Sequence, residues 1–191
     1  MGMDVYGIDP KLKPGSKKPD MPDFRDLSDE ERDVYFDAVY EYETDNPGVY
    51  FRANIWTWRP LWQYACDLMH DVFSDEDVAG GSVNSGYAIT KANAMVLSDR
   101  LNMAIEENAH HMYERDYKAM QDALPQVECQ ICEGTGMRQY ERNENITELA
   151  PCNACEGTKL RDDWRKSYPF DAEFVEEFAR FVEQSGGFKI H

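Results

Sequence analysis

Residues 129–136 read CQICEGTG, and residues 152–159 repeat the pattern as CNACEGTK. Two thiolates three residues apart on a tight turn can bind a tetrahedral ion, and a second such turn completes the four ligands. The two pairs therefore predict one structural zinc ion, bound by Cys129, Cys132, Cys152 and Cys155. The segments MRQYE and ITELA flank a polar RNEN turn between the pairs, so we expect a zinc-bound β-hairpin.

Two other uses of paired cysteines fit this pattern less well. A redox CxxC of thioredoxin type needs one pair and no repeated GTG segment, and disulfides are rare in the cytoplasm. Gly134, Gly136 and Gly157 would allow the positive φ angles that fold the chain beneath the sulfurs. Cys66 lies among apolar residues of a predicted helix, where we expect a buried thiol.

The two repeats resemble the CxxCxGxG repeats of the DnaJ-type cysteine-rich zinc finger, over residues 129–159. The chain departs from that pattern in having two repeats, in placing Lys159 where a glycine is usual, and in lacking an HPD tripeptide. The resemblance implies binding of one zinc ion by the four cysteines and a scaffold or protein-binding role. It does not imply co-chaperone activity, because no J domain is present.

Helical patterns dominate the rest of the chain. Ser28 and Glu31 form a capping box for a helix that ends near Thr44. Its expected buried stripe consists of Tyr35, Ala38, Val39 and Tyr42. Short strands are expected at 3–8 and 49–53. Further helices are expected at 60–73, at 90–124 with a break near Asn108, and between an Asp171 cap and a Gly186 stop, whereas 74–86 is expected to be a loop.

These patterns predict a mainly α protein of α+β class, in which a zinc-bound β-hairpin is inserted before the C-terminal helix. Pro60 is expected in the first turn of the second helix, where its missing N–H costs nothing. The predicted domains are an extended N-terminal arm at 1–27, a helical core at 28–125, the zinc hairpin at 126–160, and a C-terminal helix packed on the core at 161–191.

The net charge of −17 limits the partners of the protein. Direct binding to DNA or to anionic lipid is disfavoured, because phosphate neutralisation supplies most of such affinity. The chain has no run of about 18 apolar residues and no apolar signal core at its N-terminus, so we expect a cytoplasmic protein without a membrane span.

Acidic residues recur at every fourth position of the first predicted helix. Residues 20–45 hold eleven acids against two arginines, which is −9 of the −17. This face is either a solvated surface or an imitation of nucleic-acid phosphates that binds a basic surface of a partner protein. The recurring positions are Asp29, Asp33, Asp37, Glu41 and Asp45.

A tryptophan-rich segment offers an alternative function, the binding of a nucleotide or of single-stranded nucleic acid by stacking. Its members are Arg52, Trp56, Trp58, Arg59 and Trp62. The same residues would otherwise anchor a helix in the core.

An enzyme of unknown class is the second alternative function, but it is not expected, since no phosphate loop, GxSxG elbow or HExxH motif occurs. The pairs Asp67/His70 and Glu107/His110 have metal-ligand spacing but lie off the predicted apolar stripes, so surface histidines are expected.

A wider resemblance covers most of the chain. The opening MGMDVYG, the segment YFRANIWTWRPLW, the two cysteine repeats and the closing SGGFKI resemble an uncharacterised family of small proteins of tailed phages and prophages. The resemblance implies an accessory protein that acts in the cytoplasm of a bacterial host. Together with the charge, it favours a non-enzymatic zinc protein that binds, and thereby inhibits, a host protein with a basic surface.

Overall fold

The computed structural model of the chain describes residues 2–143 and 146–191. The fold is mixed, with 47% of the chain in helices, which confirms the mainly α, α+β class. The helices are α1 Asp29–Asp45, α2 Ile55–Leu68, α3 Asp75–Gly81, α4 Lys91–Glu106, α5 Ala109–Asp122 and α6 Ala172–Ser185. The strands are β1 Gly2–Gly7, β2 Tyr50–Asn54, β3 Tyr87–Ile89, β4 Val127–Glu128, β5 Met137–Asn143, β6 Ile146–Pro151, β7 Leu160–Arg161 and β8 Phe188–Ile190.

The chain divides into two compact units. The first unit comprises Met1–Glu114 and Phe170–His191, and the second comprises Arg115–Pro169. All four predicted zinc ligands belong to the second unit. No helix in the described part of the chain is long and apolar enough to cross a membrane.

The first unit contains a four-stranded antiparallel sheet in the order β2-β1-β8-β3. Met3 and Val5 of β1 are buried, whereas Tyr6 is exposed, as expected from the alternation of side chains along a strand. The last strand likewise buries Phe188 and Ile190. The sequence patterns did not predict β3 or β8, because strands of three residues carry little periodicity.

Aromatic side chains form the centre of this unit. The ring of Phe178 on α6 lies 5.2 Å from Phe51, 5.7 Å from Trp58 and 5.9 Å from Phe188, measured between centroids. Trp58 and Phe178 are both fully buried. Large aromatic side chains dominate the energetics of such cores, so α2 and α6 are held on the sheet mainly by these contacts.

The predicted helix ends are confirmed where a capping residue or a residue with positive φ fixes them. The Ser28 hydroxyl accepts from the N–H of Glu31, whose carboxylate accepts from the N–H of Ser28. Asn108, with φ of 57°, separates α4 from α5 at the expected break. Asp171 caps α6, and Gly186 ends it in the left-handed conformation. These signals act within a few residues and need no distant partner.

Helix α2 and the segment after it differ from the predictions, and α2 ends at Leu68 and not at 73. The second helix begins at Ile55, because the Asn54 side chain caps it by accepting from two backbone N–H groups. Pro60 therefore lies in the second turn of α2 and not in the first. The expected loop over 74–86 contains α3, which begins with a second capping box formed by Ser74 and Asp77.

Helix α1 is the least buried helix of the first unit. No residue of α1 is buried, so the expected buried stripe is wrong: Tyr35, Val39 and Tyr42 are half-buried and Ala38 is exposed. The helix contacts the N-terminal arm, where the ring of Phe24 lies 5.3 Å from that of Tyr35. The Asn46 side chain, just after α1, accepts from the N–H of Lys13 and donates to the hydroxyl of Ser16.

The second unit contains two antiparallel strand pairs, β4 with β7 and β5 with β6. The expected hairpin strands are thus confirmed at Met137–Asn143 and Ile146–Pro151. The predicted RNEN turn falls at 142–145, and its last two residues lie outside the described part of the chain.

Candidate metal centre and other predicted sites

The four cysteines predicted as ligands lie together. Their Sγ atoms are all within 4.8 Å of one another. The Sγ atoms of Cys129 and Cys152 are 4.0 Å apart, and those of Cys132 and Cys155 are 3.7 Å apart. Each cysteine is at least 93% buried. The cluster can therefore hold a metal ion shielded from water.

The spacing of the sulfurs fits a tetrahedral thiolate centre. With a metal–sulfur bond of about 2.3 Å, the tetrahedral angle places two sulfurs roughly 3.8 Å apart. The two observed separations lie on either side of that value. All four thiols are free, so the cluster is not a pair of disulfides.

Both repeats fold as the same tight turn. The N–H of Gly134 donates to the carbonyl of Cys129 at 3.1 Å, and the N–H of Gly157 donates to that of Cys152 at 3.3 Å. The two glycines have φ of +69° and +80°, a conformation that side-chain-bearing residues rarely adopt. The glycines thus turn the chain back beneath the sulfurs, as the sequence predicted.

The threonine of each GT step also supports the turn. The hydroxyl of Thr135 donates to the carbonyl of Cys132 at 2.6 Å, and the hydroxyl of Thr158 donates to that of Cys155 at 2.5 Å. These two residues were not predicted as part of the site. Their recurrence at the same position in both repeats was the available signal.

The environment favours one thiolate before any metal binds. Burial raises the pKa of the Cys132 thiol, but hydrogen bonds from the Gly136 N–H and from the neighbouring thiols outweigh burial and lower this pKa to about 7. Burial, together with the adjacent Cys132, raises the pKa of Cys155 to about 11. A thiolate at Cys132 therefore disfavours a second thiolate at Cys155, whose Sγ is 3.7 Å away, unless a metal cation binds both sulfurs.

The predicted acidic positions all lie on the exposed surface of α1. Asp45 pairs with Lys13 at 2.8 Å, and Asp29 pairs with Arg32 at 3.3 Å. The complete set is Asp29, Asp33, Asp37, Glu41 and Asp45. Among these acids the side chains of Phe36 and Tyr40 are 55% and 73% exposed. The two aromatic residues were not predicted on this face, because its sequence pattern is one of charge alone.

The tryptophan cluster does not form one accessible surface. Trp58 and Trp62 are at least 97% buried, and their indole N–H groups donate to the carbonyls of Gly81 and Val78. These two rings are not available to stack on a ligand. Arg52, Trp56 and Arg59 remain exposed.

The two pairs with metal-ligand spacing behave differently. His70 is exposed, and its Nδ1 lies 3.0 Å from the backbone carbonyl of Asp67, whose carboxylate accepts from Gln63. His110, which was expected on the surface, is 98% buried. Its carboxylate neighbour is Glu176 of α6, a residue that the local spacing could not reveal.

Comparisons of the chain with protein-family models, with curated proteins and with solved structures give no match. The metal centre therefore has to be interpreted from its own geometry.

Proposed function

We propose that the chain is a zinc-binding, non-enzymatic interaction protein, in which one zinc ion is bound by Cys129, Cys132, Cys152 and Cys155. The observation that carries this proposal is the buried cluster of the four Sγ atoms, which all lie within 4.8 Å of one another. Four-sulfur tetrahedral sites in proteins bind zinc or iron, and a set of four cysteines is common in structural zinc sites.

The role of the ion is structural. A catalytic zinc site keeps one position open for water or substrate, whereas four protein ligands close the coordination sphere. Ligand burial and the turns beneath the sulfurs support a closed site. Among the strand residues of this unit whose side chains the structure describes, the apolar Val127, Met137, Leu149 and Leu160 are exposed, so the ion would supply much of the stability of the second unit.

The zinc assignment is tested by metal analysis of the purified protein. In Cys132→Ser we expect one zinc equivalent per chain fewer than in the wild type, and faster amide exchange in residues 127–161. Cys66→Ala is the matched control, because this buried thiol lies in α2 of the first unit, whereas the four cysteines belong to the second unit. An unchanged zinc content in Cys132→Ser, or iron in place of zinc in the wild type, would contradict the assignment.

The partner is a protein with a basic surface, and it binds the exposed face of α1. The two supports are the row of acids and the solvent-exposed Phe36 and Tyr40 among them. Aromatic residues are enriched at protein interfaces, and complementary charge steers association and fixes register. The resemblance to phage proteins suggests a bacterial host protein as this partner, bound in the host cytoplasm and inhibited by the contact.

The partner proposal is tested with charge-reversed variants. Wild-type protein is used to capture a partner from bacterial lysate, and the affinity of that partner is then measured for Asp33→Lys/Asp37→Lys. We expect at least a tenfold loss, with a slower association rate. The control Asp116→Lys/Asp122→Lys changes the same charge at exposed acids of another helix, α5, and should leave the affinity within about twofold, since exposed charges outside the binding face contribute little. Equal effects of the two variants would exclude α1 as the binding face.

A further inference from the structure

A second cluster of metal-binding side chains lies in the first unit, apart from the four cysteines. One ring nitrogen of His110, one of His111 and one carboxylate oxygen of Glu176 are all within 4.8 Å of one another. The two histidines occupy the first turn of α5, and Glu176 comes from α6. Rigid helices therefore hold the three donors.

Both ring nitrogens of His110 face oxygen atoms that can only accept a hydrogen bond. Nδ1 lies 3.3 Å from the carbonyl oxygen of Ala104, and Nε2 lies 3.4 Å from Oε1 of Glu176. Both neighbours are acceptors, but a neutral imidazole carries only one N–H group. A cation between Nε2 and the carboxylate resolves this conflict.

The distances favour a metal ion as that cation. At 3.4 Å, the contact between Nε2 and Glu176 is longer than a good hydrogen bond of about 2.7–3.2 Å. Two ligand atoms at about 2.0–2.1 Å from a tetrahedral zinc ion are roughly 3.3–3.4 Å apart, which matches the contact. The ring centroid of His111 also lies 4.3 Å from that of His110. A metal ion would bind both imidazoles, whereas an extra proton on His110 would account for His110 alone.

The surroundings supply the supports that metal-binding histidines usually have. The Ala104 carbonyl accepts from Nδ1 of His110 and so directs the Nε2 lone pair toward Glu176. Beside His111, an oxygen of Glu114 lies 3.6 Å from Nδ1, while the other oxygen accepts from the N–H of Ala172. The Ala104 carbonyl is thus an oxygen partner of the kind that orients metal ligands, and Glu114 offers such an oxygen to His111 at a longer distance.

We infer that His110, His111 and Glu176 form a second site for a divalent transition-metal ion, zinc by preference, independent of the four-cysteine centre. Two imidazoles and one carboxylate suit zinc, and they leave a fourth position of the ion for water. The exposed fractions of His111 and Glu176, 45% and 40%, open this position to solvent.

Equilibrium dialysis against zinc at pH 7.5 tests the inference in the full chain. We expect two zinc equivalents per wild-type chain and one in Glu176→Gln or His111→Ala, both of which change half-exposed side chains. Glu177→Gln and His70→Ala are the matched controls and should keep two. Glu114→Gln removes the carboxylate charge beside His111 but keeps an oxygen that can accept from the N–H of Ala172, and we expect about 10- to 100-fold weaker zinc binding at this site.

Two further readouts distinguish a metal site from a protonated histidine. Added zinc should raise the melting temperature of the first unit in the wild type but not in Glu176→Gln, and added Co²⁺ should broaden the imidazole NMR signals of His110 and His111. One zinc equivalent in the wild type, unchanged by Glu176→Gln, would overturn the inference. So would nitrogen shifts showing that both nitrogens of His110 carry protons in the presence of zinc.

Discussion

The backbone N–H of Cys129 donates to the carbonyl of Lys159 at 2.9 Å, which ties the first residue of the first repeat to the last residue of the second. The N–H of Cys152 makes the equivalent bond to Gly136, also at 2.9 Å. The two repeats therefore exchange the same contact in both directions. The eighth residue of each repeat thus links its repeat to a cysteine ligand of the other repeat. This residue is Gly136 in the first repeat and Lys159 in the second.

Replacing Lys159 with glycine should stabilise the second unit. Lys159 has φ of +71°, a conformation that costs a side-chain-bearing residue about 1–2 kcal/mol. Glycine removes this strain but adds about 0.5–1 kcal/mol of unfolded-state entropy. We expect the unfolding free energy of the zinc-loaded unit to rise by up to about 1 kcal/mol in denaturant titrations, with zinc retained.

The converse change at the matching position should do the opposite. In Gly136→Ala the new Cβ would lie 2.7 Å from the carbonyl oxygen of Gly157, in addition to the strain of φ at +77°. We expect weaker zinc binding in competition with a chelator. If Gly136→Ala bound zinc as tightly as Lys159→Gly, the eighth position would have no part in closing the site.

Gly81→Ala should strongly destabilise the first unit. A Cβ at Gly81 would lie 2.0 Å from the indole carbon Cζ2 of Trp62, and the carbonyl of Gly81 also accepts from the indole of Trp58. Overpacking a core costs about 1–3 kcal/mol, and two buried indoles leave little room to shift. Thermal unfolding measures the loss. Gly15→Ala is the control, because only its φ of +81° is unfavourable and no atom lies within 4 Å of the new Cβ.

The ion pair between Arg100 and Asp71 should make stability depend on pH. Hydrogen bonds from Arg100 lower the pKa of Asp71 to about 2, from an ordinary value of 3.8. A lowered folded-state pKa contributes stability above pH 3.8, which is lost as the pH falls through about 2. In Arg100→Met, NMR titration should show the Asp71 pKa rising toward 3.8.

The same variant has a second pH-dependent signature. Arg100→Met should be less stable than the wild type at pH 7, and the part of this difference that comes from the Asp71 charge should vanish as the pH falls below about 2. The remaining difference reflects the hydrogen bond from Arg100 to the carbonyl of Leu68. An Asp71 pKa that stays near 2 in the variant would show that Arg100 is not its cause.

Truncation of Tyr40 should leave the fold intact. Its side chain is 73% exposed, and surface substitutions usually change stability by less than about 0.5 kcal/mol. Phe181→Ala, at a fully buried position on α6, should cost about 3–5 kcal/mol by comparison. Chemical denaturation measures both. A loss above about 1 kcal/mol in Tyr40→Ser would mean that this face of α1 is covered within the chain.

Much of the candidate metal centre was predictable because its signals are local. Cysteines three residues apart, glycines at positive-φ positions and capping boxes act within one turn of the chain, so Cys129, Gly134 and Ser28 indicate their own conformations. The pairing of the two repeats was also predictable, since a tetrahedral ion needs four ligands. The hydrogen bond from Cys129 to Lys159 was not, because it joins residues of different repeats.

At the other predicted sites, contacts between residues far apart in the sequence determine which side chains are buried and what they bind. Helical periodicity placed Trp58 and Trp62 near a helix start, but only the packing of α3 beside them shows that their N–H groups donate inward. The same holds for His110: Glu107 is its nearest acid at helical spacing, whereas Glu176, 66 residues away, is its contact. Periodicity describes which residues share a face and does not identify what that face meets.

The sequence by itself determined the four-cysteine cluster, the capped helix ends and the acidity of α1, since each follows from chemistry within a few residues. Only the tertiary structure decided that α1 keeps an exposed aromatic face, that β8 completes the sheet beside β1, and that His110 and His111 meet Glu176. The physical reason is that burial and side-chain contacts depend on which distant segments pack together, and the energy of that packing is shared by the whole unit.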